Sequence, residues 1–543
     1  MRKQARESGR QDDFDLTALT DAMMDWAIII AGGAAIGIAL HLALRGSGLR
    51  WSWALPVLVS APLVALVSPK AGLATAASGA GAIAIGFAWH RAEIERGGEE
   101  AQRGRERPGL IALTMNRTRL ARARRDRLDG DRLALGETTA RRLRTIPFGS
   151  HQGVRGMIVG APGAGKTVTT GAIASAYIAR HLPVVCVDPK GDPSLRDQLV
   201  RAAARQGAAF REWSPQGPSV YNPLSRGSAT EIADKALAGE EWSEAHYLRQ
   251  AQRYMGWELR ALRGAEVEVS LPTLARFMDA ARLEALSDNC PEDVAEPLRA
   301  YLGSLSERQR TDLGGVRDRL AVLAESELGA WLDPERSGEG RIDLASAWEE
   351  SEVIYFRLDS DRFPLASEML GAAIVSDLVA LTGELQGRTS LGLVAIDEFS
   401  AIGARNVLRV LSRSRSAGIS VVLATQALAD LEDIASEGSP EGFSRRVLSQ
   451  LDFAICHRQP EPTTAEVLAG LAGTRPIWVT TRRVESPFAA FAGKGGESVG
   501  TRTREREFIR HPDEFKRLGT GEAIVIEPAS AKEAERVRVW PAS

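Results

Sequence analysis

Residues 156 to 180 read GMIVGAPGAGKTVTTGAIASAYIAR: a short apolar run, a glycine-rich turn, then an alanine-rich stretch of helix formers. This is the G-x-x-x-x-G-K-[ST] pattern in the strand-before, helix-after setting that gives it meaning. Gly160, Gly163 and Gly165 let the backbone fold tightly around a phosphate with no Cβ in the way, so that N–H groups and the helix N-terminus point at the anion. Lys166 can then reach the β and γ phosphates, and the Thr167 hydroxyl takes a Mg2+ position. The expected phosphate cradle comprises Gly160, Ala161, Pro162, Gly163, Ala164, Gly165, Lys166, Thr167 and Val168.

Hydrolysis needs carboxylates as well, and LGLVAIDEFS (391 to 400) supplies two at the end of another apolar strand. Asp397 is expected to hold Mg2+, directly or through water, and Glu398 to polarise the attacking water. A metal ligand and a base on one strand end suit an ATPase better than a small GTPase. No NKxD-like guanine-reading tetrapeptide is present either, so ATP is expected. A third strand, VVLATQ (421 to 426), places Gln426 to sense the γ phosphate. In NVLRVLSRSRSAG (406 to 418), Val407, Leu408 and Leu411 make an apolar helix face, with Arg409, Arg413 and Arg415 elsewhere. Arg415 is the candidate to complete a neighbouring subunit's site.

Strand-like runs recur at 156 to 160, 184 to 188, 353 to 358, 392 to 396, 421 to 425 and 453 to 457, with helical patterns between. Near-continuous apolar strands alternating with helices predict an α/β fold with a parallel sheet covered on both faces. From 227 to 335 the strand signals vanish, which predicts an inserted all-α domain. Residues 486 to 504 read as a flexible loop, and AIVIE and VRVW near the end as a closing hairpin. VDPKGD (187 to 192) is good turn chemistry at the end of a strand; Asp188 and Lys190 stand open between building that turn and serving the site.

The N-terminal part is of a different kind. Residues 27 to 44, 52 to 69 and 71 to 89 contain no Asp, Glu, Lys or Arg, and Trp26, Trp51, Trp53 and Trp89 mark their edges. Asp12, Asp13, Asp15, Asp21 and Asp25 stand where a signal peptide would be cationic, so a cleaved leader is not expected. Nine arginines between 103 and 127, against Glu106 and Asp126, predict that the bulk of the chain is cytoplasmic. Two or three crossings remain open, as does whether the arginines meet anionic lipid or nucleic-acid phosphate. The resulting expectation is a tail (1–25), a transmembrane region (26–90), a basic juxtamembrane linker (91–144), a nucleotide-binding domain (145–226 and 336–543) and the helical insert (227–335).

Over 543 residues, 68 Lys plus Arg stand against 70 Asp plus Glu, which excludes a uniformly basic coat for nucleic acid. Cys186, Cys290 and Cys456 lie far apart without a CxxC pair, so neither a disulfide framework nor a zinc finger is expected.

GAPGAGKT, VDPKGD, YNPL (221 to 224), IDEF (396 to 399), SRSRSAG (412 to 418) and ATQ (424 to 426), behind N-terminal apolar helices, form a combination that resembles the type IV secretion coupling proteins of the TraD/TraG kind, in the HerA/FtsK class of hexameric motors. The resemblance spans nearly all of residues 145 to 540. It implies a RecA-like P-loop ATPase domain in a homo-hexamer anchored in the inner membrane, with ATP hydrolysed between subunits in the cytoplasm. Such a ring would receive a relaxase with its relaxosome and pass single-stranded DNA, or protein, to the channel of a type IV secretion system during conjugation. Carried onto this chain, Gly160, Gly165, Lys166 and Thr167 bind nucleotide, Asp397 and Glu398 serve metal and catalysis, Gln426 senses phosphate and Arg415 is the finger in trans. Ala164 stands where many members have Ser, and the third apolar run and the arginine-rich linker also depart from the pattern. Two other readings compete: an FtsK-like or HerA-like duplex DNA translocase, and a nucleotide-switched receptor for secreted proteins.

Overall fold

The computed structural model describes residues 16–46, 54–95, 110–149, 152–237, 245–336, 340–387, 391–402, 405–431, 440–481 and 501–542. The chain divides into two compact units, one of residues 1–119 and 476–505, the other of 120–475 and 506–543.

The first unit is built on three apolar helices, α1 (Leu16–Gly46), α2 (Leu55–Val67) and α3 (Pro69–Glu95). With no water to drive apolar surfaces together, helices in lipid associate by close backbone approach over small residues. That is how α3 meets α1: a Cβ on Gly33 would stand 2.7 Å from the Ala74 carbonyl oxygen, and one on Gly37 2.5 Å from that of Ser78. Helices α1 and α3 are long enough to cross a membrane. The 13 residues of α2 reach only about 20 Å, short of a hydrocarbon core of about 30 Å. A further helix, α4 (Leu110–Asp126), carries part of the arginine run and buried Arg127 follows it; Arg103, Arg105 and Arg107 lie outside the described residues, as do Trp51 and Trp53.

The second unit is organised by a twelve-stranded sheet. Seven strands run parallel, in the spatial order β12 (Phe453–Cys456), β4 (Arg155–Val159), β11 (Ile419–Thr425), β10 (Gly392–Ile396), β5 (Val184–Asp188), β9 (Val353–Arg357) and β6 (Phe210–Trp213). The other five make an antiparallel wing beyond β12: β15 (Glu522–Ile526), β16 (Glu535–Val539), β2 (Arg132–Thr138), then β1 (Leu128–Asp129) and β3 (Leu143–Pro147), both paired with β2. The sheet is therefore mixed, whereas the sequence suggested a parallel one. Strands joined through helices run parallel, but hairpin-connected strands cannot.

The wing also corrects the expected linker, because residues 128 to 147 are sheet. Leu133, Leu135 and Ile146 are buried in the same core as Ile173 and Tyr177 of α5 (Lys166–Ile178). Two arginines of this stretch are paired. Arg144, 4 % exposed, lies 3.2 Å from Glu527 and 3.1 Å from Glu535, while Arg132 lies 2.6 Å from Glu527.

Two short strands, β7 (Val220–Tyr221) and β8 (Arg341–Ile342), pair in parallel at the entry and exit of the region expected to be all-helical. Between them the described residues form helices from Ala229–Ala236 to Glu307–Ala324. These helices belong to the same compact unit as the sheet, and Leu259, Leu298 and Leu320 share one continuous core with Trp213, Ile354 and Val394. Their root is a buried polar knot in which Asp377 accepts hydrogen bonds from Tyr221 Oη (2.8 Å) and Lys235 Nζ (2.6 Å). Asn222 Nδ2 donates to the Val269 carbonyl at 2.8 Å. YNPL is thus an anchor for the helical region. The helix Pro364–Glu384 that carries Asp377 is apolar and long enough for a membrane, yet most of it is buried in the shared core.

AIVIE and VRVW form the antiparallel pair β15 and β16. Most of the expected loop at 486 to 504 lies outside the described residues, and Thr501 to Arg504 belong to the strand β14 (Thr501–Phe508), which pairs with β13 (Thr474–Thr481).

Candidate nucleotide-binding site

In a parallel sheet the loops after the strands gather at one edge, where ligands of open α/β folds bind. Here that edge carries, in spatial order, the glycine-rich turn after β4, Gln426 after β11, Asp397 and Glu398 after β10, and the turn Pro189 to Asp192 after β5. One strand separates β4 from β10, so Lys166 and the acidic doublet stand on the same edge about 10 Å apart in strand spacing. The helical region leaves and rejoins the sheet without coming between them.

The turn from Gly160 to Lys166 is shaped by Gly163 at φ +70° and Gly165 at φ +120°. A Cβ on Gly163 would project into open space, and the first N–H groups of α5 have no partners within the helix. Ala161, Pro162 and Ala164 complete the turn, Ala164 is buried, and Val168 lies in the first turn of α5. Lys166 is buried and its Nζ donates to the Gly160 carbonyl at 2.6 Å, a resting place inside its own loop. Burial lowers its pKa, while the charges of Glu398 and Asp397 pull it back up.

Asp397 and Glu398 are both buried. Burial first, then the neighbouring carboxylates of Asp188 and Glu398, push the Asp397 carboxyl up to about 7. A site that raises a carboxyl so far is one in want of positive charge. Glu398 adopts φ +41°, and its Oε1 accepts from the Gln426 N–H (3.2 Å) and from Ser400 Oγ (3.1 Å). Its Oε2 lies 3.5 Å from Lys190 Nζ. The donor set, a helix-opening Thr167 hydroxyl and a charge-starved Asp397 beside open glycine backbone, fits a magnesium-bound phosphate chain.

Arg415 stands elsewhere. It precedes β11, whose residue Val421 pairs with Arg155 at the start of β4, so it lies at the opposite edge of the sheet from Lys166. Its carbonyl accepts from Gly153 N at 3.2 Å and its Nε donates to Gln152 Oε1 at 2.9 Å. The structure thus brings Lys166, Thr167, Asp397, Glu398 and Gln426 together and keeps Arg415 out of its own chain's site.

Sequence reasoning missed a supporting layer. His457 is fully buried under the glycine turn, where a Cβ on Gly160 would meet it at 2.6 Å. Its Nδ1 lies 2.9 Å from the Glu522 carbonyl and its Nε2 2.9 Å from Thr169 Oγ1. Gln459 Nε2 donates to the Gln426 carbonyl at 2.7 Å, and the Arg458 carbonyl accepts from Ala161 N at 2.9 Å. All three follow β12, and only the adjacency of β12 and β4 reveals them.

Fold and site define a RecA-like P-loop nucleotide-binding protein. Residues 393–520 match the family model described as the TraM recognition site of TraD and TraG. Among solved structures, the chain is similar to the unbound bacterial conjugative coupling protein TrwBdeltaN70 (16 % identity, 78 % of this chain and 91 % of that one, TM-score 0.55). It is similar also to the plasmid coupling protein TrwB with ADP and Mg2+ (17 %, 78 % and 92 %, 0.51) and with the non-hydrolysable ATP analogue ADPNP (14 %, 78 % and 92 %, 0.52). No curated protein sequence matches the chain. Together the family match and the shared fold bear out the resemblance to type IV secretion coupling proteins.

Proposed function

We propose that this chain is a membrane-anchored ATPase that couples ATP hydrolysis to the delivery of single-stranded DNA, with an attached relaxase, to a type IV secretion channel in conjugation. The observation that carries the reading is the meeting of Lys166, Asp397, Glu398 and Gln426 at one sheet edge, in a chain whose residues 393–520 match the TraD/TraG model. ATP and Mg2+ are the expected ligands, as in the TrwB complexes. Thr167 and Asp397 would hold the metal ion, which supplies charge neutralisation to the phosphates.

The residues of the chain then divide the work. The N–H groups of Gly163 to Thr167 cradle the phosphates, and Lys166 exchanges the Gly160 carbonyl for a phosphate oxygen. Glu398 orients a water and accepts its proton as the water oxygen bonds to the terminal phosphorus and the β–γ bridging oxygen departs with ADP. Gln426, whose N–H grips Glu398, reports the state of that phosphate to β11. Arg415 meets the site of a neighbouring subunit, which is consistent with its distance from its own. Helices α1 to α3 hold the ring in the inner membrane, with the ATPase unit in the cytoplasm, and the helical region receives the relaxosome.

The test is ATP turnover by the full-length chain in lipid nanodiscs. Single-stranded DNA should raise it several-fold and Lys166→Ala should abolish it. Strong stimulation by duplex DNA alone would move the assignment to a duplex translocase.

A further inference from the structure

The VDPKGD turn is built with more bonds than a surface turn needs. Asp188 Oδ1 accepts from the N–H groups of Lys190 (3.0 Å) and Gly191 (2.8 Å), and its Oδ2 from Asp192 N (2.7 Å) and Tyr355 Oη (2.7 Å). Four donors exhaust a carboxylate, so Asp188 is a mould for the turn and has no lone pair left for a ligand. From the other side, the N–H of Leu358 donates to the Asp188 carbonyl (3.1 Å) and that of Ser360 to the Pro189 carbonyl (2.7 Å). Asp192 then caps the helix Pro193–Gln206 through the Ser194 N–H. The turn is fixed on every face but one, and from that face Lys190 reaches 3.5 Å from Glu398 Oε2 with its side chain 45 % exposed.

This lysine stands at a particular place along the edge. The cradle lies after β4, Gln426 after β11, Glu398 after β10 and Lys190 after β5. A diphosphate seated at the start of α5 would fill the cradle, and a third phosphate would extend toward β10 and β5. The resting contact also occupies a Glu398 oxygen that a water would need. The Lys190 charge is felt at Lys166 as well, whose pKa it helps to lower.

We propose that Lys190 is a triphosphate-sensing residue: it holds Glu398 in an ion pair when the site is empty and moves to the terminal phosphate when a nucleoside triphosphate binds, which frees the carboxylate for water. The inference rests on the nucleotide-site reading given above. A lysine suits the role because its four-carbon stem swings while the turn beneath it stays fixed.

The experiment measures dissociation constants of ADP and of the non-hydrolysable ATP analogue ADPNP, each with Mg2+, for full-length protein in nanodiscs. Wild type is compared with Lys190→Ala, Lys190→Arg and Lys166→Ala. Loss of one charge-assisted contact to a phosphate should weaken ADPNP binding by Lys190→Ala about 10-fold or more and leave ADP within about twofold. Lys190→Arg should recover most of the loss. Equal weakening of both nucleotides, or no weakening of either, overturns the proposal. Wild type that binds neither nucleotide, or Lys166→Ala that binds both normally, overturns the nucleotide site itself.

Discussion

His457 Nε2 lies 2.9 Å from the hydroxyl of Thr169, which ties the end of β12 to the first turn of the phosphate-binding helix. The Glu522 carbonyl can only accept, so the ring carries a proton on Nδ1. A neutral ring is what burial demands: it lowers the His457 pKa to about 4.

The pH dependence follows with a definite sign. A pKa depressed from 6.5 in the unfolded chain to about 4 gives stability that is complete above pH 6.5 and drains away as pH falls toward 4. The loss is on the order of 3 kcal/mol. Urea titrations of wild type and His457→Gln should show wild type the more stable at pH 7.5, with the gap closing by pH 4.5. A gap that widens on acidification would mean that the ring is charged in the fold.

Asp397→Asn should stabilise the nucleotide-free protein. A carboxyl raised from 3.8 to about 7 favours the fold fully below pH 3.8, and that advantage is lost as pH rises through 7. At pH 8 the buried charge therefore costs on the order of 4 kcal/mol. Asn keeps the acceptor for the Glu398 N–H and removes the charge. Calorimetry at pH 8 should give an unfolding midpoint at least about 2 °C above wild type, together with loss of Mg2+-dependent nucleotide binding. A lowered midpoint would contradict the electrostatic account.

The knot beneath the helical region should behave as a buried pair. Lys235→Met strands the Asp377 carboxylate and should cost about 3 to 5 kcal/mol. Tyr221→Phe, which removes one of its donors, should cost about 1 to 2 kcal/mol. Joining Lys235→Met to Asp377→Leu should recover most of the first loss in denaturant titrations. Strict additivity of the two single changes would show that the pair is not coupled.

If Arg415 serves a neighbour, two dead chains should rescue each other. Lys166→Ala and Arg415→Ala are each expected to be inactive alone, but in a mixed ring some interfaces join an intact Lys166 to an intact Arg415. With equal mixing, turnover should recover to about a quarter of wild type. A mixture as inactive as its components would place the arginine's role elsewhere.

The parts of this fold legible in the sequence were those whose chemistry is local. Gly160 to Thr167 and Asp397 with Glu398 carry their meaning in a few adjacent residues, and the strands that flank them are continuous apolar runs. The antiparallel wing was hidden because its partners are remote: β2 pairs with β16, placing Thr138 opposite Val537. Arg132 and Arg144 read as linker charge until Glu527 is seen beside them. His457 and Gln459 were invisible for a similar reason, since nothing in FAICHRQ says that β12 lies against β4. The helix Pro364–Glu384 shows the converse, where a composition fit for lipid is explained by burial in a large core.

The central claim, that Lys166 and the acidic pair act on one triphosphate, is tested most directly by Glu398→Gln in the full-length chain, with ATP binding and ATP turnover measured on the same preparation. The account predicts ATP binding within about threefold of wild type and turnover reduced by about 100-fold or more. Turnover that survives this change, or ATP binding lost together with it, would contradict the role given to Glu398.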